Sequence, residues 1–471
     1  MTNTKFITTT LPYVNSVPHI GHAFEFILGD ALSKWFKSSG INVHFNIGLD
    51  EHGAKVWDKA KECGVSPEEH IESLTKIWKD FSYRFNIEWD SFYKTSDKSH
   101  IESVQKIWTR FVDRGDIYKS FYKGKYCKGC ESQKQDSDLI HGKCPDHPTT
   151  EIESIEEENY FFKLSKYRDG LKSWIDQNPN FLEPKSKLDE LKNLINESSD
   201  ISVSRSLIKC PWGVPVPNDS SQIIYVWFDA LLNYILAAGY LTNSFIWDDV
   251  VQLCGPDNLR FQAIFFQSFL ESEGINKSGK LLVHGIILDK SGHKISKSIG
   301  NVIDPLEQLE KYGLDPVRYY SLNLSTYTDS PWNEEDLTRI WNSKIVNDWG
   351  NLISRVLHLI DIKCNTVTNL QPEDDFVEVV NDYQSRISNL WSNYHIKDAL
   401  RLTNELVKFG NKYINDNKTW SSLNFELELS NLKYLLITVN KLYFPVFGST
   451  HCNEISNFID LGKKQIIFSK I

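Results

Sequence analysis

The sequence predicts an α/β domain on a parallel sheet, interrupted by a cysteine-bearing insertion and followed by an all-α helix bundle. Three observations carry this. A β-rich run, "KFITTTLPYV", passes through a Pro- and Gly-containing turn into helical periodicity and then into a second apolar strand, "NVHFNIGL". The same alternation returns between 216 and 298, after a long stretch of different character. From 341 onward there is no convincing strand pattern, only amphipathic helices.

In "HAFEFILGDALSKWFKSSG", Ala23, Phe26, Ile27, Ala31, Leu32 and Trp35 form one stripe at helical spacing, and Gly40 suits the C-terminal cap. Strand, helix and strand in close succession make a parallel βαβ unit of the Rossmann type. Helical patterns then run from about 55 to 115, completing a first half at 1–118. Short polar segments and a charged helical stretch near 185–197 mark an insertion at 119–215. "QIIYVWFDALLNYIL", "VVQLCGPDNLRFQAIFFQSFL" and "KLLVHGIIL" build the second half, 216–298. A short segment, 299–340, leads to the helices of 341–471, such as "IVNDWGNLISRVLHLI" and "IKDALRLTNELVKFGNKYI".

The chain has 471 residues, 41% apolar and 24% charged, enough for several domains with buried cores. Its longest apolar runs fall far short of a membrane span, and "MTNTKFITTT" has no targeting anatomy. A cytoplasmic protein without a membrane partner is expected. A net charge of −10 argues against nonspecific coating of nucleic acid but leaves room for a local basic face. The eight cysteines form no disulfide framework, which suits a reducing compartment.

Two segments suggest phosphate chemistry. In "PHIGH", residues 18–22, a helix N-terminus follows a strand, and its N–H groups can face an anion that Gly21 lets approach. His19 and His22 can donate to phosphate oxygens whose charge grows in a transition state. In "GHKISKSIGN", residues 292–301, Lys294 and Lys297 lie among serines between glycines, a basic loop able to close over a triphosphate. Either segment alone also reads as an ordinary turn or a solvated loop. A third, "CKGCESQKQDSDLIHGKCPDH" at 127–147, has the spacing of a closed tetrahedral structural zinc site, with Cys127, Cys130, Cys144 and His147 as ligands and His141 competing for the fourth place.

A His-x-Gly-His segment after the first strand, with Lys-x-Ser-Lys-Ser after the last, resembles the signature pair of class I aminoacyl-tRNA synthetases. "TTTLPYVNSVPHIGHAF", "GLDEHGAKVWDKA", "EEENYFFKLS", "IYVWFDALLNYI", "GPDNLRFQA" and "LVHGIILDKSGHKISKSIGNVIDP" resemble, in order, segments of the methionyl branch of that class. The resemblance covers essentially the whole chain. It implies activation of L-methionine by ATP to methionyl-adenylate and pyrophosphate. Transfer to the 3′-terminal ribose of tRNA(Met) would follow, for protein synthesis including initiation. ATP, substrate-associated Mg2+ and structural Zn2+ are the implied cofactors, and a monomer is expected.

The resemblance also implies roles by position. His19, Gly21 and His22 would bind ATP, with the histidines at the α-phosphate. Lys294 and Lys297 would hold the departing pyrophosphate, Asp257 the ribose and Asp50 the methionine ammonium. Leu11, Tyr13, Trp227, Ala230, Tyr234, Phe261 and Gln262 match the methionine pocket, whose substrate calls for aromatic, polarizable walls. The segment 299–340 would contact the tRNA stem. In "NDWGNLISR" and "FGNKYINDNKTW", Asn351, Arg355 and Trp420 would read the anticodon, with Trp420 able to stack on a splayed base.

Three positions depart from the family pattern. Ile295 stands where Met is usual in the lysine loop, Leu231 where Pro is common, and Gln262 where many members have His near the methionine sulfur. None removes a catalytic group. The insertion is too small for the editing domain of an Ile, Val or Leu enzyme. The intact His and Lys motifs argue against a silent tRNA-binding paralogue.

Overall fold

Residues Lys5–Thr8 (β1) open a six-stranded sheet; Ile20–Ser38 (α1) returns the chain to Val43–Leu49 (β2), and Ser91–Lys94 (β3) is added outside β2. On the other side of β1 lie Asp249–Cys254, then Lys280–Val283, then Leu182–Glu183, every neighbour parallel. The sheet therefore grows outward from β1 in both directions. The crevice beyond the C-terminal ends of β1 and Asp249–Cys254 is a topological switch point, where open α/β sheets take ligands. The computed structural model describes residues 4–129, 132–134, 139–145, 148–295, 300–362, 371–461 and 468–471.

Two elements differ from the sequence reading. β3 lies inside the stretch read as helical, because four half-buried residues between two long helices are too few to interrupt a 3.6-residue periodicity. Leu182–Glu183, within the insertion, is an edge strand of the main sheet. The insertion also contains a four-stranded sheet ordered Ser132–Lys134, Ile117–Cys127, Ile152–Phe162, Ile201–Ser202, with the helices Leu164–Gln177 and Leu188–Glu197 between its last two strands.

Helix α1 is buried over almost its whole length, more than a single stripe requires, because it is covered on two sides. One side meets the sheet; on the other, Trp35 stacks on Trp391 of the bundle, ring centroids 5.6 Å apart. A continuous apolar core joins α1 to Trp349 and Leu435. A second core, with Trp108, Phe111, Phe162, Phe228 and Phe269, includes Phe6 of β1.

A buried ion cluster reinforces the contact between α1 and the bundle. Arg318 is 1% exposed and binds Asp30 of α1 at 2.5 Å. It also donates to the carbonyls of Phe85 and Val446, each at 2.8 Å. Lys34 binds the same Asp30 oxygen at 2.7 Å. The C-terminal helical run Phe425–Leu461 breaks at Gly448, φ 76°, where a side chain would also crowd Asn86. Pro445 and that break turn the chain so that its carbonyls reach Arg318. Among the described residues no helix is long and apolar enough to cross a membrane.

Candidate active site

His19 is the N-cap of α1. Its Nδ1 accepts from Gly21 N at 3.1 Å, and His22 Nδ1 accepts from His19 N at 3.2 Å, a capping box made of two imidazoles. The rings stack with centroids 3.7 Å apart, and His22 leans on the edge of Trp78. Because each Nδ1 is an acceptor, the neutral rings carry their proton on Nε2. Two parallel donors thus sit at the positive end of a buried helix dipole. Gly21 has a steric reason: a Cβ there would lie 3.0 Å from His19 Cε1.

The chain from Leu11 to Val14 continues beyond β1 and is held against the end of β2. Asp50 N donates to Pro12 O at 3.0 Å, and Val14 N to Asp50 O at 2.9 Å. Asp50, 8% exposed, is thereby fixed beside Tyr13, with Leu11 half-buried on the second core. Trp227 and Phe261 stack at 3.7 Å with planes 10° apart, both half-buried at the rim of that core. Ala230 and Tyr234 are buried on the helix that starts beside Trp227. Gln262 is buried in a π-helical turn, Phe261–Phe265, and donates to the Tyr234 hydroxyl at 2.6 Å. Irregular helical turns of this kind are frequent at functional sites.

Asp257 and Lys294 are both exposed and ion-paired at 2.9 Å, so the two groups assigned to ribose and phosphates meet in the free protein. Lys297 lies outside the described residues, as do Cys130 and His147. Cys127 and Cys144 are fully buried yet belong to neither apolar core. Cys144 follows a tight turn, Ile140–Lys143, whose central residues His141 and Gly142 have φ 52° and 76°. His141 is exposed at the tip of that turn. In the bundle, Asn351 donates to Asn411 Oδ1 at 3.4 Å and Arg355 to Asn415 Oδ1 at 2.6 Å, so both lie on one face of their helix. Trp420 is 54% exposed.

Several groups were not singled out from the sequence. Glu25 accepts from Thr10 N at 2.6 Å and from His284 Nε2 at 3.2 Å, tying the loop after β1 to the strand end before the lysine loop. Burial opposes a charge on His284, but the Glu25 carboxylate outweighs it and raises the imidazole above its ordinary value. Asp229 lies buried between His52 Nδ1 and His100 Nε2, each at 2.6 Å. Burial alone would raise its carboxyl; the two imidazoles instead lower it to about 2. Asp289 caps the lysine loop, accepting from Ser291 N, His293 N and Asn301 Nδ2. Its "DKSG" is an Asx-turn signal that could have been read from the sequence.

A family model described as tRNA synthetases class I (M) matches residues 5–154 and 148–357. The methionine–tRNA ligase of Caldanaerobacter subterraneus subsp. tengcongensis is 36% identical over 432 residues, 89% of this chain and 67% of that protein. That of Synechocystis sp. is 35% identical over 431 residues, covering 88% and 80%. The solved Mycobacterium tuberculosis methionyl-tRNA synthetase in complex with methionyl-adenylate aligns with a TM-score of 0.91 at 29% identity, over 97% of this chain and 94% of that one. By that family model and these relatives, the chain belongs to the methionyl-tRNA synthetase family of class I.

Proposed function

We propose that the chain activates L-methionine with ATP and transfers it to tRNA(Met), and that the switch-point residues divide the work. The observation that carries this is the stacked His19–His22 pair, whose Nε2 donors stand at the N-terminus of α1. ATP enters as its Mg2+ complex. A methionine carboxylate oxygen attacks the α-phosphorus, the bond to the bridging β-phosphate oxygen breaks, and pyrophosphate leaves. His19 and His22 donate to the α-phosphate oxygens as their charge grows. Lys294 exchanges Asp257 for the β,γ-phosphates, which frees Asp257 for the ribose, and Lys297 takes the remaining charge of pyrophosphate. Asp50 holds the ammonium, and Leu11, Tyr13, Trp227, Ala230, Tyr234, Phe261 and Gln262 enclose the thioether. The tRNA ribose hydroxyl then attacks the methionyl carbonyl and AMP departs.

The bundle at 341–471 reads the anticodon through Asn351, Arg355 and Trp420, and 299–340 contacts the tRNA stem. In the insertion, Cys127 and Cys144 fit a structural zinc site, being thiols buried outside the apolar cores. Cys130 would be the third ligand. His147 is preferred as the fourth, because His141 points from an exposed turn. Zinc there would hold the strands of the insertion together and take no part in the reaction. A cytoplasmic monomer completes the proposal. The test is ATP–pyrophosphate exchange with each of the twenty amino acids. Exchange is expected with methionine and should collapse in His22→Ala and Lys297→Ala; exchange driven by another amino acid would refute the methionine assignment.

A further inference from the structure

Asp229 lies between Trp227 and Ala230 on the helix Val226–Ala237 and is fully buried, with both of its oxygens in use. Oδ2 accepts from His52 Nδ1 and Oδ1 from His100 Nε2, each at 2.6 Å, and both imidazoles are buried as well. A carboxylate can only accept, so each ring must bring a proton, and the two rings bring it on different atoms. In neutral His100 a proton on Nε2 leaves Nδ1 to accept from the Tyr93 hydroxyl at 3.2 Å. Burial, with Asp229 and Asp97 acting in the same direction, raises that phenol well above its usual range, so it keeps the proton it donates.

One carboxylate thus joins the helix of Trp227 and Ala230 to three other elements. These are the helix Lys98–Asp113, β3 through Tyr93, and the segment after β2 through His52. That last segment is braced by its own bonds. Glu51 N donates to Thr95 Oγ1 at 2.9 Å, Trp212 Nε1 to Glu51 O at 2.6 Å, and Gly53 N to Trp212 O at 3.0 Å. The buried Glu51 side chain accepts from Thr75 Oγ1 at 2.7 Å. Asp50, bonded to Pro12 and Val14, therefore stands on a fixed edge. The bonds of Asp229 set where the helix of Trp227 and Ala230 lies against that edge.

We propose that Asp229, through His52 and His100, is a positioning residue that fixes the distance between the ammonium anchor Asp50 and the side-chain pocket on Asp229's own helix. The inference rests on the methionine reading of the site. A ligand held at both ends depends on that distance, and a ligand held at one end does not.

Competitive inhibition of methionine-dependent pyrophosphate exchange by methylthiopropylamine and by methylthiopropanol tests it. Both carry the thioether chain, and only the amine carries the ammonium. In the wild type the amine should have a Ki about tenfold or more below that of the alcohol, the scale of one charge-assisted hydrogen bond. Asp229→Ala should bring the two Ki values within about threefold of each other, mainly by weakening the amine. An unfolded fraction lowers the rate but not this ratio, so a merely structural role would leave it alone. The histidines supply a crossed rescue, because an Asn amide nitrogen can stand in for imidazole Nδ1 and a Gln amide nitrogen for Nε2. His52→Asn and His100→Gln should keep the ratio, while His52→Gln and His100→Asn should lower it. These four variants carry the test if Asp229→Ala does not fold. An unchanged ratio in Asp229→Ala, equal changes in both Ki values, or no difference between the matched and crossed histidine variants would overturn the positioning role. A wild type without methionine-dependent exchange, or with a ratio near one, would instead overturn the reading beneath it, and the role of Asp229 with it.

Discussion

Replacing Gly21 by alanine should separate stability from catalysis. The added Cβ would lie 3.0 Å from His19 Cε1 and 3.1 Å from Nδ1, against the 3.5–4.0 Å of a comfortable carbon contact. The ring must therefore withdraw by about 0.5 Å or more. The hydrogen bond from Gly21 N, now 3.1 Å, would stretch to roughly 3.6 Å, beyond a useful length. Losing the cap costs about 1 kcal/mol. Alanine in place of glycine in a helix returns about 0.5–1 kcal/mol, so net stability should move by roughly 0.5 kcal/mol or less. The Nε2 donor, displaced by a large fraction of an ångström, should cost about 10- to 100-fold in exchange rate. Urea unfolding and pyrophosphate exchange on the same preparation read both quantities. More than half of wild-type exchange, or a loss of activity matched by more than about 2 kcal/mol of destabilisation, would refute the argument.

The His284 imidazole is raised above 6.5 by Glu25, so the stability it contributes is full below pH 6.5 and is lost as pH rises through its folded value. Urea midpoints should fall as pH rises above 6.5 in the wild type, and Glu25→Gln should flatten that part of the curve. Arg318→Met should destabilise by about 3 kcal/mol in denaturant titration, since it strips a buried carboxylate of its guanidinium partner and leaves Asp30 with only Lys34 and the Glu88 N–H. Arg355→Ala and Trp420→Ala should leave pyrophosphate exchange near wild type while raising the KM for tRNA, with stacking by Trp420 worth about 1–3 kcal/mol. Metal analysis of protein purified without added metal should find about one zinc per chain, and Cys144→Ser should lose it. Folded, active protein without zinc would contradict that site.

Local sequence patterns were enough for the βαβ unit and for the turn that opens its helix. The stripe on α1 and the turn at Pro18–Gly21 each act over a few residues, and backbone preference acts over the same range. The placement of Asn351 and Arg355 on one face likewise follows from helical spacing, and the structure retains it. Other contacts depend on partners distant in the chain. Glu25 and His284 are 259 residues apart, and His52, His100 and Asp229 come from three separate elements. Arg318 reads as an ordinary helical arginine until the break at Gly448 brings carbonyls to it. β3, only four residues long, is a strand because β2 offers it an unpaired edge. A sequence determines which groups are present and how the backbone curves near them. Which buried charge meets which partner depends on how distant segments cross, and in this protein only the tertiary structure decided that.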